Sequence, residues 1–271
     1  MINFLHTFSP NPILISFGPL HIYWYGMFIV LGILLAMSIA IKLASFYQVN
    51  KELIIDLAFY LIIGGVLGAR IYDVLLNISY YSQNQLDIFK IWNGGLAIHG
   101  AIIAGCLIVY FYAKKKNINF WLLAALITPG LALAQAIGRW GNYFNQELYG
   151  LPTNLPWGIP IRLINRPIEY LSSNYFHPTF LYESIGNLII FVVLLFMHYV
   201  IIKKQKLNFT DLFFTYLITY SFLRFSLETI RLDSTVVVWG MRWPQLISLA
   251  IIIFSISWLV WKKRSKTLAK K

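Results

Sequence analysis

Charge is scarce in this chain. Only 12% of its 271 residues are Asp, Glu, Lys or Arg, while 59% are hydrophobic. Soluble domains carry about 25% charged and roughly 45–50% apolar residues. A water-soluble globule must turn much of its surface to water and cannot hide so apolar a sequence. A soluble enzyme, a disordered chain and a collagen-like fibre are therefore excluded. Cysteine is scarcer still. Cys106 stands alone, which rules out an intramolecular disulfide and a cysteine-based metal site; inside an apolar run it reads as a packed small hydrophobe. No H-E-x-x-H pair, nucleotide P-loop or G-x-S-x-G elbow occurs. His99, His177 and His198 have no metal-ligand spacing. Metal and serine-hydrolase chemistry are thus without support. Internal repeats and low-complexity segments are absent too.

What remains is a polytopic membrane protein. Apolar runs of spanning length, about 18–25 residues, cover residues 23–46, 53–76, 95–113, 120–137, 179–202, 209–230 and 243–261. Backbone in lipid must satisfy its own hydrogen bonds, so runs this long are expected as seven transmembrane helices. The first run is too long for a signal peptide and no basic segment precedes it. Residues 1–21 have the mixed aromatic and aliphatic character of an interfacial segment. The chain is read as one integral membrane domain over 1–271. Its one long connection, 138–178, holds Pro152, Pro156, Pro160 and Pro167 and is expected as a small extracytoplasmic cap of turns and short strands.

Net charge is +12, from 22 Lys and Arg against 10 Asp and Glu. On a soluble domain this would suggest nucleic acid. Here the cations sit in short clusters between apolar runs, and no nucleic-acid partner is expected. Lys42, Lys51, Lys114, Lys115, Lys116, Lys203, Lys204, Lys206, Lys262, Lys263, Arg264, Lys266, Lys270 and Lys271 all fall on one side of a seven-span zigzag. By the positive-inside rule that side is cytoplasmic, which puts the N-terminus outside and the C-terminus inside. The other eight are Lys90 and seven arginines: Arg70, Arg139, Arg162, Arg166, Arg224, Arg231 and Arg242. Topology accepts either cation, whereas a phosphate favours the planar guanidinium fork. The split places any anion chemistry on the outer side; chance and structural ion pairs are the bland alternative.

Ionisable residues inside spans are costly and commonly functional. Tyr220, Arg224, Glu228 and Arg231 are spaced by four, four and three, which puts them on one helical face. They are expected to line an interior cavity, with Glu228 paired to Arg224 or Arg231 either as a packing device or as part of a site. Gly138-Arg139-Trp140-Gly141-Asn142-Tyr143-Phe144-Asn145-Gln146-Glu147-Leu148-Tyr149-Gly150 packs hydrogen-bonding side chains between glycines. Such a segment suits close approach of a ligand, or an ordered turn. His99 lies a turn into its run and is either a proton acceptor or a core histidine bonded to a carbonyl. Tyr25 is an interfacial anchor unless the neighbouring Gly26 turns it inward. Arg70 and Asp73, three apart, read as a structural pair.

These residues resemble the bacterial prolipoprotein diacylglyceryl transferases. Residues 138–150 look like that family's G-R-x-G-N-F-x-N-x-E-x-x-G signature, with Tyr143 in place of the usual Phe. Tyr25-Gly26, the Gly94-Gly95…His99-Gly100 stretch, His177-Pro178-Thr179-Phe180-Leu181-Tyr182-Glu183 and Arg224-Phe225…Glu228…Arg231 resemble further family motifs in the same order. The departures are Ala101 for a second glycine and Phe180 for Gln. The resemblance implies transfer of the diacylglyceryl group of phosphatidylglycerol to the lipobox cysteine thiol of a preprolipoprotein signal peptide. A thioether forms and glycerol phosphate leaves, with no metal or cofactor, in the bacterial inner membrane and toward its extracytoplasmic side. Its partners would be those two substrates and membrane lipid. On this reading Arg139 and Arg224 stabilise the departing phosphate. His99 is the first choice of base, with Glu228 or a phosphate oxygen as alternatives. Tyr25, Asn142, Asn145, Glu147, Gly150, Tyr220, Glu228 and Arg231 would bind substrate. A lipid or solute transporter would share the intramembrane arginines but should show matched inverted halves; a seven-helix receptor would need no phosphate clamp.

Overall fold

The computed structural model of the chain describes residues 2–204 and 207–268. Lys206, Lys270 and Lys271 of the cation set expected on the cytoplasmic side lie outside the described residues. Among those described, seven helices reach 19 residues or more: α2 (Trp24–Phe46), α3 (Lys51–Leu76), α5 (Ile98–Lys116), α6 (Phe120–Asn145), α7 (Thr179–Lys204), α8 (Phe209–Glu228) and α9 (Trp243–Leu268). Two short helices, α1 (Ile2–Thr7) and α4 (Ile78–Gln83), and three two-stranded hairpins join them: β1 (Ile13–Phe17) with β2 (Leu20–Tyr23), β3 (Ile159–Pro160) with β4 (Tyr175–Phe176), and β5 (Val237–Val238) with β6 (Met241–Arg242).

Six of the long helices, all but α8, are apolar enough to cross a membrane. The seventh expected span is present as a helix but is less apolar than the other six. Residues 209–228 do form a helix, but Asp211, Arg224, Glu228 and several Thr, Ser and Tyr residues dilute its apolar character. Its start is set by a reciprocal cap, in which Asp211 accepts from the Asn208 backbone and Asn208 from that of Asp211.

The chain divides into two compact units, one made of residues up to Ser38 and from Thr128 on, the other Ile39–Ile127. In the second unit α3 and α5 meet backbone to backbone. A Cβ on Gly68 would lie 2.7 Å from the Gly100 carbonyl oxygen, and one on Gly100 only 2.1 Å from that of Gly68. Small residues permit this approach, which van der Waals contact then rewards in lipid. Gly100, Ala104 and Ile108 form the contacting row of α5. Cys106, two residues off that row, is exposed rather than packed, so its expected core role is corrected. Between α3 and α5 the chain folds over Arg70, which is buried. Its guanidinium donates to the carbonyls of Ile88 (2.9 Å), Gly94 (2.8 Å), Gly95 (2.8 Å) and Asp87. Asp73 is 3.8 Å away and accepts from Tyr81 Oη. Gly95, at φ +72°, has no room for a side chain, since a Cβ would fall 2.3 Å from Arg70 Nη1.

In the first unit α2 and α6 also meet through small residues, Gly32 against Ala134 and Gly130 against the Ala36 carbonyl. Helices α8 and α9 are zipped by Phe214 stacked on Trp258. The β1–β2 hairpin exposes Phe17 and Leu20, in keeping with an apolar interfacial segment. Helix α6 runs eight residues beyond the expected end at 137, so the Gly138–Asn145 part of the signature is its last two turns. The remainder of the 138–178 connection is turns, single-turn helices and the β3–β4 hairpin. It closes over a buried cluster of Leu5, Tyr143, Tyr149, Ile159, Ile161, Phe176 and Phe180.

Candidate active site

The site is built where the ends of α6, α7 and α8 present arginines and carboxylates to one another. Glu183, in the second turn of α7, is buried. Its Oε2 pairs with Arg139 Nε from α6. Its Oε1 accepts from Arg224 Nη1 of α8 at 3.0 Å and from Arg231 Nη1 at 2.8 Å. A second carboxylate, Glu228, is fully buried. Its Oε1 accepts from Arg242 Nε at 2.9 Å, and its Oε2 lies 2.8 Å from Arg224 Nη2 and 4.0 Å from Arg231 Nε. The Arg224 contact is an ion pair by distance, without the alignment of a hydrogen bond. Asp233 takes Arg231 Nε at 2.7 Å and lies 3.5 Å from Arg242 Nη2. Four guanidinium groups and three carboxylates thus form one continuous network.

Exposure sorts the arginines. Arg231 has a side chain only 3% exposed, whereas Arg139, Arg224 and Arg242 are each 19% exposed. Burial works against the charge of Arg231, but the carboxylates of Glu183, Asp233 and Glu228 outweigh it and raise its pKa further. Arg231 does not continue the α8 face as its spacing implied, because the helix ends at Glu228. The chain turns, and Arg231 reaches the cluster from a β-bridge to Gly150. That explains Gly150, where a Cβ would sit 2.9 Å from both the Ile230 carbonyl and His177 Cβ.

From Arg139 a hydrogen-bonded chain runs through the signature. Arg139 Nη1 donates to Asn142 Oδ1 (3.3 Å), and Asn142 Nδ2 (2.8 Å) and Asn145 Nδ2 (3.3 Å) both donate to Glu147 Oε1. Gln146 and Leu148 adopt φ +52° and +55°, which ends α6 and turns Glu147 back toward Asn142. Two hollows open beside this segment. One of about 340 Å³ is bordered by Tyr25, Gly26, Met27 and Asn145, and one of about 430 Å³ by Asn145, Glu147, Asn165 and Asp233. The Tyr25 ring lies against Gly141, where a Cβ would be 2.3 Å from its Cδ2. Tyr220 stacks on Tyr216 one turn before Arg224, with ring centroids 5.8 Å apart.

The structure therefore brings together Tyr25, Arg139, Asn142, Asn145, Glu147, Gly150, Arg224, Glu228 and Arg231 in the first unit. His99 belongs to the other unit, exposed in the first turn of α5 with its ring 5.9 Å from that of Tyr72. Three participants had no role assigned from the sequence. Glu183 stood within a matched motif, Arg242 was one of the outward arginines, and Asp233 drew no notice. The available signal for Glu183 was its being the one acid in a 26-residue apolar helix, a charge that must find cations. Two departures from the family pattern also pack on each other, with Phe180 stacked on Tyr143 at 4.5 Å and edge-on to Trp140 at 5.3 Å. Beside them His177 Nδ1 lies 3.2 Å from Tyr182 Oη, and burial pushes its imidazole below the usual pKa.

Comparison with known proteins agrees with these motifs. The family model described as prolipoprotein diacylglyceryl transferase matches residues 12–261. A protein of a Nostoc species is 46% identical over 259 residues, 95% of this chain and 91% of its own length; one of Synechococcus elongatus is 41% identical over 254 residues (93% and 88%), and one of Listeria innocua 38% over 258 (93% and 90%). Each is named phosphatidylglycerol–prolipoprotein diacylglyceryl transferase. The chain belongs to the prolipoprotein diacylglyceryl transferase family.

Proposed function

We propose that this transferase moves the diacylglyceryl group of phosphatidylglycerol onto a prolipoprotein by attack of a lipobox cysteine thiol on the glycerol carbon that carries the phosphate. A sulfur–carbon bond forms, the carbon–oxygen bond to phosphate breaks, and glycerol phosphate departs with the bonding electrons. The thiol proton goes to a base. Charge on the phosphate grows from one toward two as the bond breaks. Guanidinium groups held in advance around it stabilise that growth at no reorganisation cost. The observation that carries this reading is the meeting of Arg139 and Arg224, from separate helices, on the single carboxylate of Glu183, with both side chains still part-exposed. Each guanidinium has five donors, and these contacts leave some for a phosphate. Arg139 and Arg224 are the phosphate ligands in this account, while buried Arg231 and Glu228 act as struts. Asn142, Asn145 and Glu147 meet the glycerol head group, Tyr25 the phosphate or an ester, and Tyr220 the lipid beside Arg224. Gly150 acts by holding the bridge to Arg231.

A free thiol has a pKa near ~8.5 and needs a base; His99 is assigned that role. The protein is taken to cross the bacterial inner membrane seven times, α8 included. Its polar face can then be shielded by the cluster, its N-terminus lies outside, and the cap and the arginine network face the extracytoplasmic side. Lysines at the ends of α5, α7 and α9 support that orientation. Purified protein given phosphatidylglycerol and a lipobox peptide should yield a peptide heavier by one diacylglyceryl group and one glycerol phosphate per transfer. A mass shift without glycerol phosphate would overturn the leaving-group assignment. His99→Gln should lose turnover with the same substrates, and full turnover would assign the proton to another group.

A further inference from the structure

We infer that Glu183 is the positioning residue of the phosphate clamp, an inference that rests on the reading just given. No other carboxylate in the network contacts both proposed phosphate ligands. Glu228 reaches Arg224 but not Arg139, and Asp233 reaches neither. Glu183 engages Arg139 by one oxygen, and Arg224 and Arg231 by the other. Its side chain is 4% exposed, so water does little to screen these contacts. Three guanidinium groups this close repel one another, and a buried carboxylate at their centre offsets that repulsion.

The arrangement does two things at once. It fixes the spacing of Arg139 and Arg224, because each is tied to an opposite edge of one planar group. Arg139 approaches through Nε and Arg224 through Nη1, so a different part of each fork is left for the ligand. It also sets the charge. Glu183 cancels one of the positive charges gathered there, so a phosphodiester meets a less positive site than the arginines alone would make. The lower charge weakens the hold on the dianionic product and so favours its release.

Neutralising Glu183 while keeping its shape separates these effects from simple folding. In the full-length purified protein, Glu183→Gln should lower kcat about tenfold or more, because the reacting geometry is loosened. It should also lower the inhibition constant of glycerol phosphate several-fold, because one more positive charge faces the dianion. Glu183→Asp retains the charge on a shorter stem and should restore the wild-type inhibition constant while kcat stays reduced, because the shorter stem no longer fixes the spacing of the two arginines. A purely structural role would remove folded enzyme and leave the inhibition constant of the remainder unchanged. Glu183→Gln with wild-type kcat, or with reduced kcat and unmoved product inhibition, would therefore overturn the proposal. If the wild-type protein itself releases no glycerol phosphate, the proposed function falls and this inference with it. An active wild type beside an indifferent Glu183→Gln overturns this inference alone.

Discussion

Two buried arginine sites in this protein end in different ways. Arg70 gives its donors to four main-chain carbonyls, those of Ile88, Gly94, Gly95 and Asp87, with Asp73 only at the margin. Arg139 and Arg224 end instead on carboxylates shared with other arginines, and both remain part-exposed. A carbonyl cradle occupies four of the five guanidinium donors and clamps a loop. A shared carboxylate gathers several guanidinium groups but does not take all five donors of each. The kind of acceptor, rather than burial alone, separates the Arg70 site from that of Arg139 and Arg224.

The largest effect that tests this contrast is on turnover. Arg139→Ala and Arg224→Ala should each reduce kcat by about 10²-fold or more, as loss of a donor to a developing oxyanion does, while the purified proteins keep their helical content. Arg139→Lys should stay poor, since a point charge replaces a fork. Wild-type kinetics in that lysine variant would blur the distinction. At the other site, Arg70→Ala leaves carbonyls without donors at about 1–3 kcal/mol each. Its main expected signature is a thermal midpoint lowered by several degrees, with lysine a weak replacement because it has no fork to span four acceptors. Should Arg70→Ala leave the midpoint unmoved, the cradle holds nothing.

The smallest effect concerns His177, beside the network. Burial lowers its pKa below the usual 6.5, so the unfolded chain binds a proton near that pH that the folded protein resists. Its contribution to stability is complete above about pH 6.5 and declines as the pH falls below it. His177→Gln should flatten that part of the dependence in thermal melts between about pH 5 and pH 8, and an unchanged slope would assign it to other groups.

Much of the fold was legible because hydropathy and chain length act locally. A run such as Thr179–Lys204 must be a helix in lipid whatever surrounds it, and the excess of arginine outside the lysine clusters already set those residues apart. The polar share of α8 was less legible, because Tyr and Phe lie among its Asp, Arg, Glu, Thr and Ser residues. Cys106 was misplaced because α5 is apolar all round, and only the glycine row that contacts α3 distinguishes its inner side from its outer one. The end of α6 was read too early because glycines within 138–141 look like a loop until helix packing supports them.

Amino-acid order alone determined that this chain is suited to a membrane, that its long apolar runs are helices, and that its arginines stand apart from its lysine clusters. Tertiary packing alone decided that Glu183 gathers Arg139 and Arg224, that Arg242 and Asp233 complete the network, and that Arg231 enters by a bridge to Gly150. The reason is range. Burial of apolar runs is dictated residue by residue, whereas Glu183 lies 41 and 48 positions from Arg224 and Arg231, and charges so far apart in sequence acquire partners only when helices bring them within a few ångströms.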